Sequence, residues 1–255
     1  MFVIPIAKMA RDPRNNGSIR PITLISTVVK LLEIVVYHRI LPIIEPKLIP
    51  GQYAYGRGRG TDMCLTEIMD FVHRGTCGEG WRYIASFDIA GASDTVPHRR
   101  PVQSLREMGV DTHSRRIVRN WLGSRTFQVR LSTWGGDIYS HQYPISMGLP
   151  QGGVLPPLLW LTFFISALER TQKIKRNYPL TRVVRKKGLF VGDLAMMISA
   201  DTQDELREAA VLYVALLKGV LQDMALELNE SKCKNIILDP EILQEGVFRR
   251  SPRAP

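Results

Sequence analysis

Hydrophobic residues recur along this chain at spacings that change from strand-like to helix-like. The opening residues FVIPIAK alternate as a β-strand does, and a polar turn, DPRNNGS, follows them. From Ile25 to Leu41 the apolar residues recur at helical spacing, which predicts a helix that ends near Pro42. A glycine-rich loop, GQYAYGRGRG, precedes a second predicted helix from Thr61 to His73, with Thr61 as its N-cap.

The rest of the chain alternates between predicted helices and strands. The segment WRYIASFDI has apolar residues on both faces, which predicts a central strand. The pattern then predicts helices at Arg99–Met108, Ser114–Leu122, Leu155–Arg170 and Gln203–Leu226, with strands at Phe127–Leu131 and Ile138–Tyr143. A hairpin, KGLFVGDLAMMIS, is predicted to turn at Gly192-Asp193, and CKNIIL is a last strand. This order predicts an α+β fold with helices packed on one face of an antiparallel sheet.

Composition narrows the class of protein. Hydrophobic residues make up 45% of the 255 residues and charged residues 23%, as in ordinary globular domains. No apolar run reaches the roughly 18 residues of a membrane span, so we expect no membrane partner. The three cysteines lack metal-ligand spacing, which indicates a reducing intracellular compartment; the nucleus and the mitochondrion both fit.

The net charge of +10 favours a polyanionic partner. The chain has 34 Lys and Arg against 24 Asp and Glu, and such an excess is typical of proteins that contact the phosphates of RNA or DNA. The alternative is a basic protein that has no such partner. Charge alone prefers nucleic acid only modestly.

Five segments, in this order and spacing, resemble the reverse transcriptases of non-LTR retrotransposons. RPITL resembles the RPISL segment of the fingers, and GQYAYGRGRGT resembles the QFGFRKGRST loop. FDIAGASDTVPH is similar to LDIxKAFDTVxH, GLPQGGVLPPLLW to GVPQGSVLGPLLF, and LFVGDLAMMIS to the FADDLALL hairpin. LELNESKCKNIIL further resembles the lysine-bearing segment that closes the palm. Five colinear motifs indicate common descent, which fixes fold better than function.

The resemblance implies the fingers and palm of a right-hand polymerase. It implies a fingers-like segment at 1–80 and a palm-like segment at 81–238, with a return to the fingers near 99–145. Residues 239–255 would form a basic tail, and we expect no thumb. An antiparallel palm sheet with helices on one face agrees with the hydrophobic pattern.

The resemblance also implies a metal site, and here the chain departs from the family. Nucleotidyl transfer uses two Mg²⁺ ions about 4 Å apart, which carboxylates from separate elements must hold. Asp88 matches the first ligand, whereas the two adjacent aspartates of the hairpin are replaced by Gly192 and Asp193. Neighbours on an extended backbone face opposite ways, so Asp193 does not replace the carboxylate absent at 192. In the alternative interpretation Gly192 is simply a good turn residue, and Asp193 caps that turn.

Further residues match the nucleotide pocket and the nucleic-acid contacts of the family. Ser93 stands where the family has an aromatic residue that excludes the ribose 2′-hydroxyl. The other predicted pocket residues are Lys8, Arg20, Pro150, Gln151, Gly152 and Lys232. The predicted nucleic-acid contacts are Arg57, Arg59, Arg182, Arg185, Lys186, Lys187, Arg249, Arg250 and Arg253. Each has a structural alternative: a solvated surface for the cations, a turn before a helix for Pro-Gln-Gly, and a strand edge for Lys232.

Two functions therefore compete. The first is a polymerase-deficient domain that needs no cofactor and acts as an RNA-binding or structural subunit beside other proteins of a ribonucleoprotein assembly. The second is an active RNA-directed DNA polymerase with two Mg²⁺ ions. A decayed transposon product without a function is a third interpretation. Gly192 is the residue that separates the first two.

Overall fold

The computed structural model describes residues 1–8, 18–48, 51–53, 58–74, 80–175, 184–190 and 193–239, and only the backbone at 74, 166–175, 184–190 and 193. In chain order the elements are β1 (Phe2–Ala7), β2 (Ile19–Leu24), α1 (Thr27–Ile44), α2 (Thr61–Arg74), β3 (Trp81–Asp88), α3 (Arg99–Glu107), α4 (Thr112–Gly123), β4 (Thr126–Thr133), β5 (Gly136–Tyr139), β6 (Tyr143–Pro144), α5 (Leu155–Lys175), β7 (Val184–Phe190), β8 (Asp193–Ala200), α6 (Gln203–Asp223) and β9 (Lys234–Leu238). Among the described helices, none is both long and apolar enough to cross a membrane. The α+β class predicted from the sequence is confirmed.

The chain divides into two compact units. Unit 1 comprises Met1–Leu48 and Gly91–Ser166, and unit 2 comprises Ile49–Ala90 and Ala167–Pro255. The segment predicted to return to the fingers, 99–145, lies in unit 1 together with the first 48 residues. The boundaries drawn from the sequence, at 80 and 238, therefore differ from those of the units. Assignment of fingers and palm to particular ranges stays a prediction.

Unit 1 contains a mixed sheet with the strand order β2-β1-β4-β5, and β6 pairs with β4. β1 and β2 are antiparallel, with Ile4 opposite Ile22, whereas β1 and β4 are parallel, with Phe2 opposite Gln128. Hydrophobic periodicity predicts strands but not their partners, so it did not indicate this parallel pair. Many of the buried side chains of the unit come from its helices: Val36, Ile40 and Ile44 of α1, Leu105 of α3, Val118 and Leu122 of α4, and Leu158, Leu159 and Phe163 of α5.

Unit 2 contains an antiparallel sheet with the strand order β7-β8-β3-β9. β3 is a central strand, as its sequence predicted, and Tyr83, Ala85 and Phe87 of β3 are buried. Helix α6 packs on β3 and β8, while α2 contacts β7. This arrangement holds the end of β3, where Asp88 lies, between two hydrogen-bonded neighbours.

Several helix ends differ from the sequence prediction, α5 most, since it ends at Lys175 rather than Arg170, and three of the differences have a local cause. α1 continues past Pro42 to Ile44, because a proline two residues from the end of a helix removes only one backbone hydrogen bond. Thr61 is the first residue of α2 rather than its N-cap: the Cys64 N–H donates to the carbonyl of Gly60. α6 ends at Asp223 because Ala225 takes a left-handed conformation, with φ 57°.

The buried carboxylate of Glu33 connects two helices of unit 1. Glu33 lies in α1, is 0% exposed, and its Oε2 accepts hydrogen bonds from the N–H groups of Val154 (2.5 Å) and Leu155 (3.2 Å). These N–H groups lie at the start of α5, where the backbone has no partner within the helix, so Glu33 caps α5 from another element.

Glu33 also interacts electrostatically with Arg125. Glu33 Oε1 is buried without a hydrogen bond in the described part of the chain, and so are all three nitrogens of Arg125. The Arg125 guanidinium lies 3.9 Å from the centre of the Trp121 ring. Burial lowers the pKa of Arg125 to about 10, and the charge of Glu33 opposes this shift. The two buried charges therefore depend on each other.

We expect Glu33→Ala to lower the free energy of unfolding by about 3 kcal/mol, because it leaves two N–H groups and the Arg125 charge buried without compensation. Urea denaturation measures this change. The matched control is Glu208→Ala, at an exposed position of α6, where we expect a change within about 0.5 kcal/mol. Equal effects of the two substitutions would refute the capping role of Glu33.

Candidate active site and nucleic-acid interface

Asp88 and Asp193 lie directly opposite each other in the sheet of unit 2. Asp88 is the last residue of β3, Asp193 is the first residue of β8, and the two are paired in the antiparallel register. Asp193 also pairs with Phe190 of β7, so it belongs to the strand rather than to the predicted turn. Gly192, the other half of the predicted turn, lies outside the described residues. The sheet thus brings together two residues that are separated by roughly a hundred positions in sequence.

Lys232 lies at the same end of the sheet. Its Nζ is 2.8 Å from Asp88 Oδ2, and the two side chains are 45% and 25% exposed. Lys232 belongs to a short 3₁₀ helix, Glu230–Lys232, not to the strand edge that the structural alternative proposed. The carbonyl of Asp88 accepts a hydrogen bond from the Asn229 N–H, and the Ala90 N–H donates to Glu227 O. These backbone bonds hold the 227–232 segment against the end of β3.

No metal-binding cluster is found among the described side chains. In that part of the chain no three His, Cys, Asp or Glu residues come close enough together to hold an ion. The Asp88 carboxylate is instead paired with the Lys232 ammonium. The predicted metal roles of Asp88 and Asp193 stay predictions.

A second group of predicted residues comes together in unit 1. The Gln151 side-chain amide donates to both carboxylate oxygens of Asp94, at 3.0 and 3.3 Å, and to the Ser93 hydroxyl at 3.4 Å. The Leu149 N–H donates to the carbonyl of Ser93, and the Thr23 N–H of β2 donates to that of Gln151. The loop that contains Pro150, Gln151 and Gly152 is therefore fixed to the turn after β3 and to β2. Its position does not depend on Gln151 alone.

Two glycines allow the backbone of this loop to come so close to its neighbours. Gly152 has φ 126°, and a Cβ atom there would lie 2.6 Å from the carbonyl oxygen of Thr23. Gly148 has φ 86°, and its Cβ would lie 2.7 Å from the carbonyl oxygen of Asp94. Any other residue would be strained at both positions. Together with Glu33 at residues 154 and 155, these contacts hold the loop on both sides of Gln151.

Of the remaining predicted residues, Lys8 and Arg20 lie on neighbouring positions of the β1–β2 pair, and Arg59 belongs to unit 2. Lys8 is half-buried at the end of β1, and Arg20 is exposed on β2 opposite Ile6. Arg59 donates to the carbonyl of Gln52 at 2.8 Å in unit 2. Arg57, Arg182, Arg249, Arg250 and Arg253 lie outside the described residues, and Arg185, Lys186 and Lys187 are described only as backbone of β7. The structure therefore does not test the predicted basic runs.

Glu33 is a residue that the sequence analysis missed. The signal was present: a single glutamate interrupts the apolar run KLLEIVV, and an isolated charge in such a run is buried only when it has partners. The partners, Val154 and Leu155, are about 120 residues away, and sequence alone does not identify them.

The comparisons with known proteins identify the class of this protein. A family model described as "Reverse transcriptase (RNA-dependent DNA polymerase)" matches residues 8–246. The chain belongs to the reverse transcriptase family. This confirms the resemblance drawn from the five motifs and agrees with a right-hand polymerase fold.

The similar proteins are polymerases of mobile elements. The chain is 23% identical over 239 residues to the RNA-directed DNA polymerase from mobile element jockey of Drosophila melanogaster, covering 92% of this chain and 25% of that protein. It is 26% identical over 149 residues to the Pol polyprotein from type-1 retrotransposable element R2 of Popillia japonica, covering 58% of this chain and 20% of that protein. The chain thus spans about a quarter of the length of the jockey protein.

Solved structures of telomerase share the fold. One is telomerase of Candida tropicalis in complex with a fragment of telomeric RNA, with a TM-score of 0.59 and 11% identity, covering 88% of this chain and 40% of that one. Another is apo telomerase of the same organism, truncated from its C-terminal domain, with a TM-score of 0.57 and 11% identity, covering 88% and 48%. At this identity the likeness establishes the fold alone.

We expect Gly152→Ala to lower the free energy of unfolding by more than about 1 kcal/mol, because the new Cβ meets the carbonyl of Thr23 at an unfavourable φ. The control is Gly219→Ala in α6, where nothing lies within 4 Å of the new atom and helix propensity predicts a gain of about 0.5–1 kcal/mol. Thermal unfolding of both variants measures the difference in sign. Stabilisation by both substitutions would show that the loop does not require glycine at 152.

Proposed function

We propose that this chain is a reverse-transcriptase domain that binds RNA through its phosphate backbone, does not polymerise DNA, and acts as a subunit of a ribonucleoprotein assembly. One observation carries the second part of the proposal, that the chain does not polymerise DNA. The sheet of unit 2 sets Asp88 opposite Asp193, but the residue before Asp193 is Gly192 and the partner of Asp88 is Lys232.

The number of carboxylate ligands weighs against polymerisation. Reverse transcriptases normally use Mg²⁺, and two such ions need several carboxylate oxygens at one point. The family motifs supply three aspartates, and this chain retains two of them, Asp88 and Asp193. A two-ion site loses affinity sharply when a bridging carboxylate is absent, because each ion then has fewer anionic ligands. These residues do not fit a working two-Mg²⁺ site.

The net charge of the chain and its family both favour RNA as the ligand. The chain carries a net charge of +10, and its reverse transcriptase family is described as RNA-dependent. The telomerase of similar fold is bound to a fragment of telomeric RNA in its structure. Phosphate contacts sum over many weak interactions, so they do not require the metal ligands to be complete. A domain that does not synthesise DNA can therefore keep this binding.

The competing function is an active RNA-directed DNA polymerase. The register of Asp88 opposite Asp193 favours it, because it places these two aspartates at the same end of the sheet. The curated relatives also have names that describe this activity. The experiment that separates the two functions measures DNA synthesis directly.

We expect no primer extension by this chain on an RNA template with either Mg²⁺ or Mn²⁺, because Asp88 and Asp193 do not hold both ions. Gly192→Asp restores the family's pair of aspartates, and we expect it to recover trace synthesis. Gly192→Asn is the matched control, since it has nearly the same size as aspartate but no charge. Robust synthesis by the unmodified chain in Mg²⁺ would overturn the proposal.

We expect the affinity for a labelled RNA duplex to fall steeply with salt. The log–log slope should be about 0.7–0.9 times the number of phosphates that the protein neutralises. Two duplexes of equal length and different sequence should bind equally, because backbone and shape carry no base information. Salt-independent binding, or none, would exclude RNA as the partner and leave docking on protein subunits.

A further inference from the structure

The positive charge of the chain is concentrated in one of its two units. Unit 1 contains 15 Lys and Arg against seven Asp and Glu, whereas unit 2 contains 19 against 17. Unit 1 therefore carries +8 of the total +10. Most of this excess comes from residues 99–130, where eight arginines stand against two acidic residues. The basic runs predicted from the sequence lie elsewhere, at 57–59, 182–187 and 249–253.

Three of these eight arginines serve the fold. Arg115 donates to the carbonyl of Val110 and to the Thr112 hydroxyl, both at 2.9 Å. The Arg125 guanidinium is buried against Trp121, and Arg130 pairs with Asp137 at 2.8 Å. Arg100 is half-buried.

The other four arginines are exposed, and we call them the arginine face: Arg99 and Arg106 on α3, and Arg116 and Arg119 on α4. Within the described residues no hydrogen bond or ion pair is found for their guanidinium groups. α3 and α4 follow each other in the chain and pack together. The buried side chains of these helices, such as Leu105 and Val118, lie at other helical positions, which leaves the arginines on the solvent sides.

The acidic residues of this segment do not neutralise the arginine face. Asp111 caps α4: its carboxylate accepts from the Ser114 N–H and hydroxyl, and it pairs with Arg39 at 3.5 Å. Glu107 accepts a hydrogen bond from Gln103, one turn earlier in α3. Four guanidinium groups therefore remain available to a ligand from outside.

We propose that the arginine face binds the phosphate backbone of RNA. This inference rests on the proposed function and names the surface that performs it. A guanidinium binds phosphate through two parallel hydrogen bonds, and several arginines can bind successive phosphates. Along the axis of α3, Arg99 and Arg106 are about 10 Å apart, which is two helical turns. Along the axis of α4, Arg116 and Arg119 are about 4.5 Å apart. Such spacings suit the successive phosphates of a nucleic acid better than a single small anion.

The face is less suited to a protein partner. Protein interfaces usually have an apolar centre within a polar rim. No large hydrophobic side chain of α3 or α4 is exposed, although other helices of the described chain, such as α1 with Val28 and Val35, have several. The arginine face thus provides charge without the apolar area that association with a protein needs.

The test compares two charge-matched triple variants of the full chain. The first is Arg106→Gln, Arg116→Gln and Arg119→Gln, within the arginine face. The second is Lys30→Gln, Arg207→Gln and Lys234→Gln, at exposed positions on α1, α6 and β9. Both remove three positive charges. We expect the first to reduce the salt slope of RNA duplex binding by about 2 to 3, and the second to leave it almost unchanged.

The outcomes separate this inference from the proposed function. Equal weakening by both variants, with the unmodified chain binding RNA, would overturn the arginine face and leave RNA binding in place. If the unmodified chain binds no RNA, both proposals fall. Binding of polyglutamate that the first variant loses, without RNA binding, would instead assign the face to an acidic protein. All six residues are exposed, so we expect the thermal midpoints of both variants to stay unchanged. Unchanged midpoints exclude unfolding as the cause of weaker RNA binding.

Discussion

The buried carboxylate of Glu33 is the interaction on which unit 1 depends. A charge that is 0% exposed must be compensated, and Glu33 is compensated by the first N–H groups of α5 and by the nearby Arg125 charge. This one contact joins α1, the start of α5 and Arg125, which lies between α4 and β4. Glu33 also helps to fix the loop before α5, because it accepts hydrogen bonds from the N–H groups of residues 154 and 155. Gln151 can then contact Asp94 and Ser93 with little freedom left in its backbone.

In unit 2 the corresponding constraint is the central position of β3. β8 and β9 flank β3 on its two sides, and the segment 227–232 bonds to the end of it. These three neighbours bring Asp193 and Lys232 to Asp88. In a polymerase, such an arrangement at the end of the central strand would hold carboxylates for metal ions. Here it also places the ammonium group of Lys232 beside Asp88. The motifs predict that Gly192 replaces an aspartate, so that the ammonium group would remain while one of the carboxylates would be absent.

This difference explains how binding and synthesis can separate in one fold. Metal binding is cooperative, because each ion needs nearly all of its ligands at once, so the absence of a single carboxylate has a large effect. Phosphate binding is distributed over many cations, so single substitutions have small effects. Unit 1, with +8 of the net charge, contains the exposed arginines and the glycine-dependent loop, whereas Asp88 and Asp193 belong to unit 2. The arginines proposed to bind RNA and the aspartates predicted to bind metal therefore belong to different units.

Local patterns were sufficient to predict most of the helices and strands. The alternation in FVIPIAK, the apolar residues on both faces of the strand before Asp88, and the helical periodicity after Thr202 are all local features of the sequence. The five motifs also identified the family, because their order and spacing are features of the sequence itself. Helix ends were less accurate, since Gly60, Pro42 and Ala225 act through backbone geometry that composition does not specify.

The sequence by itself determined the family, the α+β class and the net charge, and it predicted that Gly192 replaces an aspartate of the family. Only the tertiary structure decided which distant residues meet. It paired Asp88 with Lys232 across 144 positions and Glu33 with Val154 across 121, and it left Arg106, Arg116 and Arg119 without partners among the described residues. The physical reason is that a charge takes its role from its neighbours in space. An arginine buried on Trp121 and an arginine exposed on α4 have the same letter in the sequence, but the first stabilises the fold and the second is available to a ligand.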